Sequence, residues 1–255
     1  MDTTTLQVEI ANRVATVTLN RPDRGNAFNQ AMLDELGVAL VSLKEDTAVR
    51  VLVLRAAGKH FCTGADVSSR GERGPDSLSF NEVLSRLDRF PKPTIACVQG
   101  GALGGGLGIA ACCDVLLADP GAFFSVPELR VGVAPSSELA GLLIRVMGYR
   151  TFRRYGLSAE RLSAEEALRV GLAHEVAAAD QLEPRLAAIL DAFLHSAPGA
   201  TAELKHTVAE LAWPAETVLF PPGGTKPREL ERTREAAEGI QAFREKRKPA
   251  WYVPR

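Results

Sequence analysis

Apolar and polar side chains alternate over residues 6–10 and 13–19, on either side of Asn12. This period of two is typical of a β-hairpin whose strands each bury one face. Apolar positions then recur at helical spacing over 29–43, and the next segment, 49–58, is continuously apolar and rich in β-branched residues. The pattern predicts a hairpin, an amphipathic helix and a strand that is covered on both faces.

The same alternation continues through the middle of the chain. A loop at 59–75 and a helix at 77–89 precede a second buried strand at 94–100. A glycine-rich turn and a short apolar helix at 101–112 lead to a third strand at 114–119. Strand, loop, helix and strand in this order predict an α/β fold with helices packed over a sheet.

The second half of the chain has an almost wholly helical pattern from about residue 138 onward, interrupted at Pro198-Gly199 and over 214–227. We predict a core over 1–195 that holds the active site, and a helical region over 196–255 that mediates oligomerisation. The predicted helices span 138–147, 150–156, 163–170, 180–196, 200–211 and 229–246.

The composition narrows the class of protein. Hydrophobic residues make up 46% and charged residues 24% of the chain, as in an ordinary globular protein. The formal net charge of −1 gives no electrostatic basis for binding nucleic acid. Every apolar run ends well before the ~18 residues that a membrane span needs, and the N-terminus does not resemble a signal peptide. We therefore expect a cytoplasmic protein.

The cysteines and histidines point to no metal site. The four cysteines show no C-x-x-C spacing, and the histidines are scattered without metal-ligand spacing. We expect reduced, buried thiols and neither a metal nor a redox cofactor.

Two loops carry the candidate chemistry, and each follows a predicted buried strand. In HFCTGAD (60–66), Gly64 allows a sharp turn and the small Ala65 leaves its backbone N–H open to a ligand. In QGGALGGGLG (99–108) there are six glycines, although each costs roughly 0.5–1 kcal/mol relative to alanine in a helix interior. Such a run is tolerated where the backbone must approach another group closely. N–H groups from the two loops could together form an oxyanion hole.

The glycines have two other interpretations. Gly106 to Ala111 fits G-x-G-x-x-A, the dinucleotide-binding fingerprint. That fingerprint needs a long helix and a later strand that ends in an acid, whereas DVLLAD follows at once here. Close packing of a helix on a sheet is the second alternative, and the oxyanion hole is favoured over both.

Three blocks of the chain resemble the signature blocks of the enoyl-CoA hydratase/isomerase (crotonase) superfamily: HFCTGAD, PKPTIACVQGGALGGGLGIAACCDVLLAD and FFSVPELRVGVAP. The segment REAAEGIQAFREKRKP is similar to that family's usual C-terminus. The resemblance covers nearly the whole chain and is weakest over 212–228. It implies an α/β, crotonase-like spiral of ββα units with a C-terminal helical region, assembled as a homotrimer or hexamer.

The resemblance also implies a substrate and a set of site residues. The substrate is a thioester of coenzyme A or of an acyl-carrier protein, so coenzyme A or phosphopantetheine enters as part of the substrate. Its carbonyl oxygen is expected between the N–H groups of Ala65 and Gly105, and Glu128, in FFSVPEL, is expected to transfer the proton. The residues expected to line the coenzyme A arm are Arg24, Ala27, Asp66, Val67 and Ser68.

One departure from the family pattern bears on the reaction. Family hydratases carry a second carboxylate in the helix after the oxyanion glycines, and Gly108 occupies that position here. One-carboxylate reactions stay open: Δ3,Δ2-enoyl isomerisation, or dehydration of a β-hydroxyacyl thioester. Gly108 with FFSVPEL and LLIRVMGYR also resembles the dehydratases of 3-hydroxy-3-methylglutaryl thioesters in polyketide β-branching. Glu138 as the second carboxylate and a non-catalytic binding subunit are the remaining alternatives.

Overall fold

The computed structural model describes residues 4–68, 74, 77–212 and 234–252. Its strands are β1 (Leu6–Ala11), β2 (Val14–Leu19), β3 (Val51–Ala56), β4 (Thr94–Val98), β5 (Gly101–Leu103), β6 (Val115–Ala118), β7 (Phe123–Ser125), β8 (Leu162–Ser163) and β9 (Glu175–Val176). Its helices are α1 (Gln30–Glu45), α2 (Phe80–Asp88), α3 (Gly105–Ala111), α4 (Ser137–Met147), α5 (Tyr149–Ser158), α6 (Ala164–Arg169), α7 (Ala179–His195), α8 (Pro198–Ala212) and α9 (Arg234–Arg244). Two 3₁₀ turns span Pro22–Arg24 and Pro127–Val131.

The strands form two sheets. The larger sheet has the order β1-β2-β3-β4-β6-β9, in which β1 and β2 are antiparallel and every later pair is parallel. The smaller sheet has the order β5-β7-β8, with β5 and β7 parallel and β7 and β8 antiparallel. The predicted hairpin and α/β class are confirmed, with mixed sheets and a helical C-terminal part.

The continuous apolar run of strand β3 is explained by burial on both faces of the sheet. Leu52 and Leu54 point into the main core, whereas Val51 and Val53 point to a second cluster on the other face of the sheet. Side chains of α7 cover that second cluster, so both faces of the strand are buried.

Side-chain caps set where the first helices begin. The Asn29 side chain accepts a hydrogen bond from the Met32 N–H at 3.0 Å and starts α1. Ser79 and Glu82 form a reciprocal capping box, which is why α2 begins at Phe80 and not at residue 77 as predicted.

The predicted turn and helix over 101–112 divides into two elements. Gly101–Leu103 is strand β5, and the helix spans only Gly105–Ala111. Gly104 separates them because it adopts φ +51°, a conformation that glycine reaches without strain. The short strands β8 and β9 were not predicted, and residues 229–233 of the last predicted helix lie outside the described ranges.

Both C-terminal helices contact the core of this chain. The Lys205 ammonium on α8 binds the Asp114 carboxylate and donates to the Lys92 carbonyl at 3.1 Å. Helix α9 lies against the turn Pro127–Val131. Within the described ranges, no helix is long and apolar enough to cross a bilayer.

Candidate active site

The two glycine-containing loops run side by side. Cys62 and Ala102 form a parallel bridge, in which the Cys62 N–H donates to the Gly101 carbonyl at 3.1 Å and its carbonyl accepts from the Leu103 N–H at 2.9 Å. The contact continues to the residues just before Ala65 and Gly105, because a Cβ on Gly64 would lie 3.1 Å from the Leu103 carbonyl oxygen. The fold thus brings together the two predicted oxyanion residues.

The backbone N–H groups at these two positions are available to a ligand as far as the described residues go. Among the described residues, the N–H groups of Ala65 and Gly105 have no acceptor, whereas those of Asp66 and Gly104 donate to the carbonyls of Phe28 and Ser125. Around Ala65, the Phe28 N–H donates to the Gly64 carbonyl and the Asp66 N–H donates to the Phe28 carbonyl, both at 2.9 Å. Gly105 opens α3, where first-turn N–H groups have no intrahelical partner. Within the described part of the chain, both predicted oxyanion donors are therefore free at the ends of adjacent loops.

Packing within the protein accounts for several of the glycines in this run without any ligand. A Cβ on Gly100 would overlap the Lys59 carbonyl oxygen, and one on Gly101 would lie 2.9 Å from the Phe123 ring. A Cβ on Gly106 would overlap the Cys62 carbonyl oxygen and lie 2.7 Å from the Cys62 Cβ. The helix that follows is seven residues long and leads directly to β6. This short helix lacks the length of a dinucleotide-binding unit.

Glu128 lies against the start of the same helix. It follows Pro127 in the 3₁₀ turn after β7, and a Cβ on Gly104 would overlap its Oε1 and stand 3.5 Å from its Oε2. Its Oε2 is enclosed and has no hydrogen-bond partner among the described residues. Burial raises the pKa of Glu128 to about 7, and a hydrogen bond from its own backbone N–H lowers it only in part. The carboxyl group is therefore poised to take or release a proton near neutral pH.

The residues predicted to line the coenzyme A arm lie in two neighbouring segments, 24–27 and 66–68, which the Phe28–Ala65 bridge joins. The two segments form a rim beside Ala65. Arg24 is exposed at the end of the first 3₁₀ turn, and Ala27 is half-buried beside it. The Asp66 carboxylate accepts from the Ser68 N–H at 3.1 Å and from its hydroxyl at 2.6 Å. Burial alone would raise the pKa of Asp66, but hydrogen bonds from Ser68 and Arg21 hold it below its ordinary value. Val67 contributes its backbone carbonyl to this segment as a hydrogen-bond acceptor.

Two arginines that sequence reasoning missed hold this rim. Arg21 binds the Ala27 carbonyl and pairs with Asp66 at 3.0 Å. Arg244, on α9, donates to the Val67 carbonyl at 2.8 Å. The Arg21–Asp66 and Arg244–Val67 contacts have no local sequence signal, because the partners lie 45 and 177 residues apart.

Buried Asn26 also escaped prediction. It is fully enclosed and donates to the carbonyls of Ala57 at 2.8 Å and His60 at 2.7 Å. It adopts φ +53°, a conformation for which asparagine is enriched, directly after Gly25. The Gly25-Asn26 pair was the available signal, and the contacts tie the rim to the loop after β3.

Helix α9 packs on the turn that carries Glu128 through two glycines. A Cβ on Gly132 would lie 2.6 Å from the Glu235 carbonyl carbon and oxygen. A Cβ on Gly239 would lie 2.5 Å from the same two atoms of Val131. The two backbones meet without intervening side chains, so α9 fixes the position of this turn.

The environment of Gly108 is apolar. A Cβ there would lie 2.8 Å from Leu139 Cδ1, 3.4 Å from Phe80 Cζ and 3.6 Å from Leu84 Cδ1. Glu138, the alternative second carboxylate, is exposed at the start of α4, and its pKa is lowered by a hydrogen bond from its own backbone N–H and by neighbouring hydroxyls. No group of three or more His, Cys, Asp or Glu side chains in the described residues could hold a metal ion.

Known proteins share this fold over its length. The enoyl-CoA hydratase/isomerase family model matches residues 9–253. A short-chain-enoyl-CoA hydratase of Clostridium acetobutylicum is 33% identical over 214 residues, 82% of each chain. A 2,3-dehydroadipyl-CoA hydratase of Escherichia coli K12 is 32% identical over 255 residues, covering 96% of this chain and 97% of the relative. An enoyl-CoA hydratase/isomerase structure from Pseudoalteromonas atlantica T6c has a TM-score of 0.86 at 27% identity, covering 98% of this chain and 100% of the other.

The fold and the family match together define a crotonase-type lyase or isomerase. The chain belongs to the enoyl-CoA hydratase/isomerase family and is an enzyme of that family. The resemblance found in the sequence blocks is confirmed.

Proposed function

We propose that this enzyme acts on an acyl-coenzyme A thioester through an enolate, with Glu128 as its proton-transfer group. The observation that carries the proposal is the enclosed Glu128 carboxyl beside Gly104, with a pKa of about 7 and an Oε2 that has no hydrogen-bond partner among the described residues. A buried carboxyl group without a structural partner costs stability, and a catalytic role accounts for its retention. The two relatives described above are a short-chain-enoyl-CoA hydratase and a 2,3-dehydroadipyl-CoA hydratase, and both names support a coenzyme A thioester as the substrate.

The two free N–H groups supply the second part of the reaction. The thioester carbonyl oxygen would accept from Ala65 and Gly105, and these fixed donors would stabilise the negative charge that develops when the α-proton leaves. They need little rearrangement during the reaction because the bridge at Cys62 and Ala102 sets their register. The rim at Arg24, Ala27 and 66–68 would hold the coenzyme A arm.

The apolar surroundings of Gly108 favour a reaction that needs one carboxyl group. In isomerisation, Glu128 would remove the α-proton of a Δ3-enoyl thioester and return it to the γ-carbon as the double bond moves. In dehydration, Glu128 would remove the α-proton of a β-hydroxyacyl thioester and pass it to the leaving hydroxyl, which departs as water. The same chemistry on a 3-hydroxy-3-methylglutaryl thioester, carried by coenzyme A or an acyl-carrier protein, is the second candidate.

A product analysis tests the proposal. The purified enzyme is incubated with a panel of 2-enoyl, 3-enoyl and 3-hydroxyacyl thioesters of coenzyme A, and products are identified by mass spectrometry. We expect Glu128-dependent conversion of at least one 3-enoyl or 3-hydroxyacyl thioester, with the Glu128→Gln variant as the control. Conversion that is unchanged in that variant would remove Glu128 from the reaction.

A further inference from the structure

Gly104, Gly105 and Gly108 expose only backbone at the start of α3, and different groups lie against each of them. At the N-terminal end, Gly104 lies against the Glu128 carboxyl. One residue later, a Cβ on Gly105 would lie 2.7 Å from the Phe28 ring and 2.9 Å from the Phe80 ring. One turn further, Gly108 faces Leu139 and Phe80. Proton transfer, an aromatic wall and an apolar wall therefore follow one another along the helix.

This order gives the direction of the acyl tail, given the proposed function. With the carbonyl oxygen at the Gly105 N–H and the α-carbon facing Glu128, carbons beyond the β-carbon extend along the glycine face of α3. The nearest described side chains there are Phe28 and Phe80 at Gly105, and Leu139, Phe80 and Leu84 at Gly108. Of these, Phe80 meets both glycines and Leu139 comes nearest to Gly108.

The wall formed by these side chains is closed and braced. Phe80 stacks on Phe28 with ring centroids 4.9 Å apart and an interplanar angle of 5°. Leu139 is 3% exposed, so little free space remains around it. The helices that carry Phe80 and Leu139 are also joined to each other.

Two side-chain contacts make that joint between α2 and α4. The Ser136 hydroxyl donates to the Asn81 side-chain oxygen at 3.4 Å near the start of both helices. Arg145 pairs with Asp88 at 3.3 Å near their ends. Spreading the helices to admit a long chain would break contacts at both ends.

We propose that Phe80 and Leu139 set the acyl specificity of the enzyme, admitting short acyl groups and excluding longer ones. Phe80 closes the space beside Gly105 and Leu139 fills the space left by the absent side chain at Gly108. A preference for short chains is thus built by residues on α2 and α4 and not by the residues that perform proton transfer.

Binding of saturated acyl thioesters tests this without depending on which reaction occurs. Butyryl-, hexanoyl- and octanoyl-CoA are titrated by calorimetry into the wild type and into Phe80→Ala and Leu139→Ala. We expect the wild type to bind butyryl-CoA at least ~10-fold more tightly than octanoyl-CoA, since a single methylene in a close-fitting pocket is worth about 10-fold or more. Each variant should reduce that ratio by at least ~10-fold.

Phe193→Ala is the matched control. Phe193 is also a half-buried phenylalanine, but it packs on the opposite face of the sheet, so its loss should leave the ratio unchanged. Phe80→Leu and Leu139→Val keep the test available where the alanine variants do not fold, and each should relax the preference in the same direction.

The outcomes separate two failures. Binding of all three thioesters by the wild type with equal affinity, or an equal ratio in Phe80→Ala and Phe193→Ala, overturns the specificity proposal alone. Failure of the folded wild type to bind any acyl-CoA overturns the proposed function itself.

Discussion

Replacing Glu128 with glutamine should slow the reaction and yet stabilise the folded protein at neutral and alkaline pH. The pKa of Glu128 is about 7, against an ordinary value of 4.5. An unfolded chain therefore releases this proton at lower pH than the folded protein does. The contribution of Glu128 to the free energy of unfolding is therefore fully present below pH 4.5. It is lost as the pH rises from 4.5 towards 7, because ionisation of the carboxyl group then favours the unfolded chain.

The size of the effect follows from the same two values. Each pH unit between them is worth about 1.4 kcal/mol, so the ionised carboxylate costs the folded state about 3 kcal/mol above pH 7. Glutamine carries no charge at any pH and avoids this cost. Its amide leaves a polar group unpaired, which costs about 1–3 kcal/mol, but that offset does not change with pH.

Denaturant unfolding at about pH 5 and about pH 8 measures the difference. We expect the free energy of unfolding of Glu128→Gln, relative to wild type, to be about 2–3 kcal/mol higher near pH 8 than near pH 5. Turnover of the variant should fall at least ~10²-fold. A relative stability that is the same at both pH values would show that the carboxylate is solvated, and the argument for a neutral-pH base would fail.

Glu138→Gln is the matched control, with the opposite sign. Glu138 is exposed, and hydrogen bonds hold its pKa below the ordinary value. The ionised form of Glu138 therefore stabilises the fold at pH values above its pKa, and Glu138→Gln should lower the free energy of unfolding near pH 8 and not raise it. Unchanged turnover in this variant is also expected, whereas a large loss would support Glu138 as a second carboxylate.

Three further predictions follow from the site and the C-terminal helices. Ala65→Pro removes one N–H and should reduce the rate ~10²–10³-fold; a folded variant, checked by circular dichroism, with full activity would place the oxyanion site elsewhere. Wild-type hydration of crotonyl-CoA should be slow, and a wild-type kcat well above ~10 s⁻¹ would contradict the one-carboxylate reaction. Gly108→Glu should raise the hydration rate most when it is combined with Leu139→Ala, since Leu139 Cδ1 lies 2.8 Å from the new Cβ. Light scattering at micromolar concentration should give a trimer or hexamer, because Leu204, Val208 and Leu211 on α8 are exposed, and a monomer would contradict it.

Periodic stretches of the sequence predicted the parts of the fold that bury one regular face. All five apolar positions expected on the first helix (Met32, Leu33, Leu36, Leu40 and Leu43) are buried on α1. The second sheet was not predictable in the same way. Its strands are two or three residues long, which is too short for a period of two to be distinguished from a turn.

The residues of the candidate site also fall into two groups, those with a local sequence signal and those without one. The loops at Ala65 and Gly105 could be predicted because glycine is unfavourable inside a regular element, so a run of glycines indicates a close approach of the backbone to another group. Three features could not be predicted from the sequence: the ion pair between Arg21 and Asp66, the hydrogen bond from Arg244 to the Val67 carbonyl, and the apolar surroundings of Gly108. Each depends on residues that are distant in sequence and meet only through the topology of the fold.

The glycine contact between α9 and the turn of Glu128 has a consequence for the order of synthesis. Arg234, the first residue of α9, lies just over a hundred residues after Glu128. At roughly 5–20 residues per second, the ribosome needs about 5–20 s to make that interval. During this time a nascent chain can hold its strands and the helix at Gly105, while Val131 and Gly132 lack the backbone that covers them. The enzyme should therefore gain its activity only once α9 has been made, after most of its core has formed.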